Sequence, residues 1–282
     1  MDNYTILRFP SRCTKVTNES DIDTSGIYDD TEDDAATIRI YTENILKVEL
    51  PDTVKELGEA AFSGVGNYGS FNFSSLERIE LSKNISKIET CTFVDCKNLK
   101  YVKMPENITE IGPSAFYGCK AIESITIPEG VKKIGERSFE GCTNLQQINL
   151  PGKLEKIGAN AFYGCKALES ITIPEGIKEI ETYSFFACIN LQKINLPEGL
   201  ESIGEYAFSG TRSLSEIIIP ESVKTIDSWA FSGWTASQTI KCKATKAGDN
   251  WDKYWNYNPT YPASSAPKIS ANIIWGYQDN NT

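Results

Sequence analysis

Three sets of residues in this chain have types and spacings that could do chemistry. The first is acidic. Asp21, Asp23, Ser25, Ile27, Asp29 and Glu32 stand at positions one, three, five, seven, nine and twelve of a twelve-residue segment, with Gly26 at position six. A hard cation such as calcium needs six to eight oxygens on a sharply turning chain. This spacing offers side-chain oxygens, the backbone carbonyl of Ile27, and a carboxylate at the end. Against it, Ser25 stands where Asp or Asn is usual, and the preceding CTKVTNES is a poor helix former. An acidic turn in an N-terminal cap is the competing reading. No other cofactor is expected.

The second set is sulfur. Five of the eight cysteines, Cys96, Cys119, Cys142, Cys165 and Cys188, recur at intervals of 23 residues. With no histidine and no C-x-x-C pair in the chain, a metal site is disfavoured. Stacked at strand spacing with parallel Cβ vectors, the cysteines also sit too far apart for disulfides. They read as small buried apolar residues. The third set is aromatic. All five tryptophans (Trp229, Trp234, Trp251, Trp255 and Trp275) fall near the C-terminus, with Tyr254, Tyr257, Tyr261 and Tyr277. They suit either a cap or a patch that binds sugar or peptide.

Catalytic arrangements are otherwise missing. Gly64 to Gly69 matches G-x-G-x-x-G, but no βαβ pattern surrounds it. No histidine can act as base, and the carboxylates alternate with lysines at variable positions, as on a solvated face. A carboxylate-dependent hydrolase is kept only as a distant alternative to a non-enzyme.

The elements that must position these residues come from a repeat. The frame L-x-x-I-x-[IL]-P-x-x-[VIL]-x-x-I-G-x-x-[AS]-F-x-G-C starts at Leu76, Leu99, Ile122, Leu145, Leu168, Leu191 and Leu214, and a looser copy begins at Ile45. A fixed period of 23 with apolar residues spaced in this way predicts a leucine-rich solenoid of eight coils. The expected class is an α/β repeat, mainly β, with a continuous parallel strand ladder and capped ends. Strands are predicted at Lys47–Leu50, Arg78–Leu81, Tyr101–Met104, Ser124–Ile127, Gln147–Leu150, Ser170–Ile173, Lys193–Leu196 and Glu216–Ile219. Proline ends each strand because it has no N–H for a ladder. The next apolar pair, such as Ile177 and Ile180, fits a short extended or helical piece. Phe93, Phe116, Phe139, Phe162, Phe185, Phe208 and Phe231 recur without exception and predict a stacked spine. Residues 115–151 and 161–197 agree at 27 of 37 positions, so pairs of repeats have been duplicated.

Three regions follow: an acidic N-terminal cap over 1–43, the repeat array over 44–236, and an aromatic C-terminal cap over 237–282. Net charge is −10, concentrated before residue 76, with no basic cluster. A nucleic-acid partner is therefore not expected. No segment has the length or apolarity for membrane insertion, and the first residues do not read as a signal peptide.

With IPEGVKKIGERSFEGCTNL as its clearest unit, the frame resembles the BspA-type leucine-rich repeats of bacterial and protozoan surface antigens. The segment IKCKATKAGDNWDKYWNY, followed by IIWGY, is similar to the end segment of many such proteins. The resemblance implies a cell-surface or secreted adhesion protein that binds protein or glycan and carries no catalytic residues. The unpaired thiols and the lack of a leader in this sequence keep an intracellular protein–protein scaffold, and a cytoplasmic location, as the alternative.

Repeat positions three and five point away from the core by strand alternation. Tyr101, Lys103, Ser124, Thr126, Gln147, Asn149, Ser170 and Thr172 therefore form the candidate binding strip. The competing reading is a solvated sheet whose threonine and asparagine rows carry no ligand.

Overall fold

The computed structural model describes residues 5–8, 15–16, 45–65, 72–256 and 271–279. Each repeat forms one coil with three faces. The first face is the predicted strand. It spans Arg78–Glu80, Tyr101–Lys103, Ser124–Thr126, Gln147–Asn149, Ser170–Thr172 and Lys193–Asn195 in successive coils, and Ile45–Glu49 and Glu216–Ile219 at the two ends. Most strands stop one residue short of expectation. The inward Leu or Ile at position six already faces the turn made by the following proline, as in Ile177 N–H donating to Pro174 O at 3.0 Å.

The second face resolves the ambiguous apolar pair as extended. Two-residue strands pair in parallel on this face, in one ladder from Lys87–Ile88 to Lys156–Ile157 and another from Glu179–Ile180 to Thr225–Ile226. Lysines and glutamates tie its coils together. Glu110 sits between Lys87 and Lys133 at 3.5 and 3.0 Å, and Lys156 meets Glu181 at 3.1 Å. Such exposed pairs each contribute little, and favour register more than stability.

The third face is a stack of turns around the phenylalanine. Amides two before, at and two after the phenylalanine all bond forward to the next coil. In one coil Asn160, Phe162 and Gly164 donate to Thr182, Ser184 and Phe186 carbonyls at 2.9, 3.0 and 2.8 Å. The residues between them bond backward within the coil, as Tyr163 does to Asn160 O at 3.0 Å. Amides committed to a neighbouring coil cannot make the i to i−4 bonds of a helix. No helix occurs among the described residues, so the expected α/β class reduces to its mainly β part. This geometry uses left-handed backbone at two places in every coil after the first. The residue two before the phenylalanine has positive φ in every coil, from Ala60 at 53° to Trp229 at 58°. The residue two after it has positive φ too, as glycine in five coils and as Asp95 and Ala187 in two others. The glycine that follows the second strand has a different reason. At Gly135 a Cβ would fall 2.5 Å from the Pro113 nitrogen of the preceding coil, so close approach demands it.

The first-face ladder is not continuous, contrary to expectation. Hydrogen-bonded pairing is absent between Tyr101–Lys103 and Ser124–Thr126, between Gln147–Asn149 and Ser170–Thr172, and between Lys193–Asn195 and Glu216–Ile219. A three-residue strand makes few ladder bonds, so a small displacement is enough to interrupt the pairing. Both uninterrupted central pairs, Ser124–Thr126 with Gln147–Asn149 and Ser170–Thr172 with Lys193–Asn195, fall within the duplicated units. The ladder also extends beyond the eight coils. Thr5–Arg8 pairs with Ile45–Glu49, and Thr239–Cys242 with Asn272–Trp275 follow Glu216–Ile219, all in parallel.

Leu, Ile and Val from the two ladders close the interior on the phenylalanines, which are wholly buried from Phe62 to Phe231. Their rings stack with centroids 5.1 to 5.7 Å apart and planes within 18°. The cysteine column lies beside this spine, buried and unbridged. It is not merely apolar. Each thiol donates to the phenylalanine carbonyl of the previous coil, as Cys142 does to Phe116 O at 3.1 Å and Cys188 to Phe162 O at 3.1 Å. Thr211 and Trp234 continue the column with an O–H and an indole N–H that both bond to Phe208 O.

Burial pushes the Cys142 and Cys188 thiols up to about 12, and Cys119 and Cys165 well above the ordinary thiol range. An unfolded thiol ionises near about 8.5. Below that pH both states are protonated and stability is intact. Above it the unfolded state alone sheds protons, so stability falls as pH rises toward 12, by roughly 1 kcal/mol per thiol per pH unit. Urea midpoints measured between pH 8 and 10.5 should therefore drop steeply. A Cys142→Val, Cys188→Val double variant should drop less steeply, and identical slopes for the two proteins would refute the assignment.

Candidate binding surface

The strip residues lie where strand alternation puts them. Tyr101, Lys103, Ser124, Thr126, Gln147, Asn149, Ser170 and Thr172 are all exposed on the first face. The ladder sets Ser124 beside Gln147 and Thr126 beside Asn149. The strip has two chemically distinct parts. At its N-terminal end the charges are spent on one another. Arg78 lies 4.0 Å over the Tyr101 ring and donates to Glu80 at 2.7 Å, and Lys103 approaches Glu80 at 3.6 Å. The Arg78 hydrogen bond is the main reason the Glu80 carboxyl is held below its usual range. Tyr101 remains 42% exposed, although Arg78 occupies one of its faces. A hollow of about 680 Å³ adjoins this end, lined by Lys47, Glu80, Lys103 and Met104 among others.

The central part is neutral. The side chains of Ser124, Thr126, Gln147, Asn149 and Ser170 make no hydrogen bond to another described residue, while Thr172 Oγ1 accepts from Asn195 at 3.3 Å. A shallow groove of about 440 Å³ runs where the ladder opens between Gln147–Asn149 and Ser170–Thr172, with Leu150, Ile173 and Pro174 in its wall. Water-facing donors and acceptors beside a partly apolar groove can bind a polar polymer and orient it.

The other candidates divide. Asp21, Asp23, Ser25, Ile27, Asp29 and Glu32 lie outside the described residues, as does most of the Gly64 to Gly69 segment. No group of three or more His, Cys, Asp or Glu among the described residues could hold a metal ion. No helix among the described residues is long and apolar enough to cross a membrane. Of the aromatic end, Trp234, Trp251 and Trp255 are buried. Trp234 and Trp255 pack their edges on Phe231 at 5.1 and 5.7 Å, and Trp251 meets Trp255 at 5.1 Å. These three close the last coil. Trp275 is partly exposed, and Tyr257 and Tyr261 lie outside the described residues.

One aromatic surface was missed. Tyr183, Tyr206 and Trp229 stack on one another two residues before the spine phenylalanine, with centroids 5.0 and 5.2 Å apart. Tyr163 and Phe186 stack one residue after it, at 4.8 Å. All five rings are half-buried. The signal was present in the sequence as Tyr183, Tyr206 and Trp229 at intervals of 23 residues, but the tryptophan count drew attention to the chain end instead.

The BspA type leucine rich repeat region matches in six copies over residues 40–75, 65–186 and 155–250. The chain belongs to this family. It is similar to a leucine-rich repeat protein from Bacteroides ovatus, with 31% identity and a TM-score of 0.71 over 92% of this chain. This chain spans 62% of that protein. More distant similarities are to a leucine rich cell surface protein from Faecalibacterium prausnitzii (18% identity, TM-score 0.37, 84% of this chain and 81% of that one) and to the pneumococcal vaccine antigen PcpA (18%, 0.47, 96% and 89%). A comparison with curated proteins finds no match.

Proposed function

We propose that this chain is a non-enzymatic binding protein that engages a protein or glycan through the first-face strip, at a cell surface or in secreted form. The observation that carries this reading is the neutral centre of the strip. Five exposed side chains keep their hydrogen-bonding capacity uncommitted, on a rigid array whose charged pairs elsewhere satisfy each other. Membership of a repeat family built for extended surfaces supports it. The intracellular scaffold reading uses the same strip and differs only in location, which surface labelling of intact cells tests directly.

Glycan arrays and pull-downs identify the ligand. Three variants then locate the site: Tyr101→Ala, a Gln147→Ala/Asn149→Ala double variant, and a control with Lys132 and Lys133 changed to alanine on the second face. Tyr101→Ala should weaken binding by about fivefold or more, as aromatic anchors among polar neighbours do. The double variant should also weaken it. Loss confined to the lysine control would move the site off the strip.

A further inference from the structure

The two aromatic columns are not demanded by the fold. In the earlier coils the position two before the phenylalanine holds Ala60, Cys91, Ser114 and Arg137, and the position one after it holds Ser63, Val94, Tyr117 and Glu140, so only Tyr117 is aromatic there. Those coils bury their phenylalanines just as fully. The rings also sit at a price in backbone conformation. Tyr183, Tyr206 and Trp229 adopt φ of 56°, 54° and 58°, where bulky residues are disfavoured and where Asn160 of the preceding coil is better suited. Large residues placed at a strained, half-exposed position that accepts alanine elsewhere point to a use outside the core.

Their geometry narrows the partner. Within each column the ring faces are taken up by one another, so solvent meets mainly edges and hydroxyls. A sugar, which stacks on open faces, is poorly served. Faces without an aromatic partner among these rings remain at the column ends: Tyr163 is preceded by Glu140 and Phe186 followed by Ser209, while Tyr183 is preceded by Asn160 and Trp229 ends its column. The surrounding charge is negative. Glu205 follows the Tyr183 hydrogen-bonded coil, and neither it nor Asp227 has an ion pair among the described residues. Of the cations in these coils, Arg137 lies against Glu136 and Glu140 and Lys156 against Glu181, while Lys166 and Arg212 have no ion pair among the described residues. The Tyr183 amide donates to the Glu205 carbonyl at 2.9 Å, which places Glu205 in the adjoining coil, and burial and then that carboxylate raise the Tyr183 phenol. The protein itself shows what satisfies such a site, since Arg78 lies over Tyr101 while bonded to Glu80.

We propose that the Tyr163–Phe186 and Tyr183–Tyr206–Trp229 columns dock an arginine-bearing extended segment of a partner polypeptide, with a guanidinium against an open ring face and paired to Glu205. Arginine is favoured over lysine because its planar, weakly hydrated group stacks and hydrogen-bonds at once. This surface is separate from the first-face strip.

The test uses a fluorescein-labelled (Arg-Leu)4 peptide, with (Lys-Leu)4 and (Glu-Leu)4 as comparisons, and follows anisotropy at near-physiological salt. The arginine peptide should saturate the full chain and bind about tenfold or more tightly than the glutamate peptide. Glu205→Gln and Tyr206→Ala should each weaken it by about fivefold, and the Gln147→Ala/Asn149→Ala strip variant should leave it unchanged. Glu205→Gln removes no packing, so it reports on the site even if Tyr206→Ala folds poorly. Absence of saturable binding, equal binding of all three peptides, or insensitivity to Glu205→Gln overturns the proposal. Competition at the columns by an oligosaccharide would overturn it as well.

Discussion

Phe162→Ala should lower the unfolding free energy by about 3–5 kcal/mol, read as a fall in urea midpoint at unchanged slope. The ring is fully buried in the middle of the array, stacked on Phe139 at 5.7 Å and Phe185 at 5.4 Å. Removing it takes a partner from two coils and opens a cavity that backbone bonded to both neighbours cannot collapse. The end of the spine behaves similarly. A phenylalanine next to a wet cap would be cheaper to remove, but Phe231 is fully buried, with Phe208 on its face and the edges of Trp234 and Trp255 against it. Phe231→Ala should therefore approach the cost of Phe162→Ala. A shift near zero for either variant would show that the spine is not core.

The second large effect is expected at Trp234, which takes the place of cysteine in the thiol column. Its indole N–H donates to Phe208 O at 3.1 Å and to Thr211 Oγ1 at 3.0 Å, and its ring is buried against Phe231. Trp234→Ala combines a cavity with the loss of that donor and should cost about 3–5 kcal/mol. Trp234→Phe keeps most of the packing and loses the donor, so about 1–3 kcal/mol is expected. The order of the two variants, measured by the same denaturant titration, separates packing from hydrogen bonding. Equal costs would mean that packing adds nothing beyond the donor, and a cost near zero for Trp234→Phe would mean that the indole N–H contributes nothing.

What could be read from the sequence was whatever the repeat enforces identically in each coil. The 23-residue spacing, the inward Leu and Ile, the proline stops and the phenylalanine spine all follow from one requirement. A coil cannot bury its apolar side alone, so each must match its neighbours. The outward direction of Ser124, Thr126, Gln147 and Asn149 followed for the same reason, because strand alternation is a local rule. Which outward residues stay uncommitted was not legible. Arg78, Glu80 and Lys103 neutralise one another across coils, whereas the central row does not, and that depends on the reach of side chains from neighbouring turns.

Other features were decided only in three dimensions. The left-handed positions at Ala60 through Trp229 carry no residue signature, because the forward bonds of each coil, not the side chain, impose the backbone shape. The role of the cysteines as donors depends on a carbonyl 26 residues earlier. The breaks in the first ladder leave no mark in the repeat frame. The aromatic columns need two separate repeat positions brought together around one corner, as when Tyr183 meets Phe186 at 5.5 Å. By itself the sequence determined the coil, since the coil is a periodic solution to burial; the tertiary structure decided the surface, since neighbouring turns set which side chains neutralise each other and which remain open to a partner.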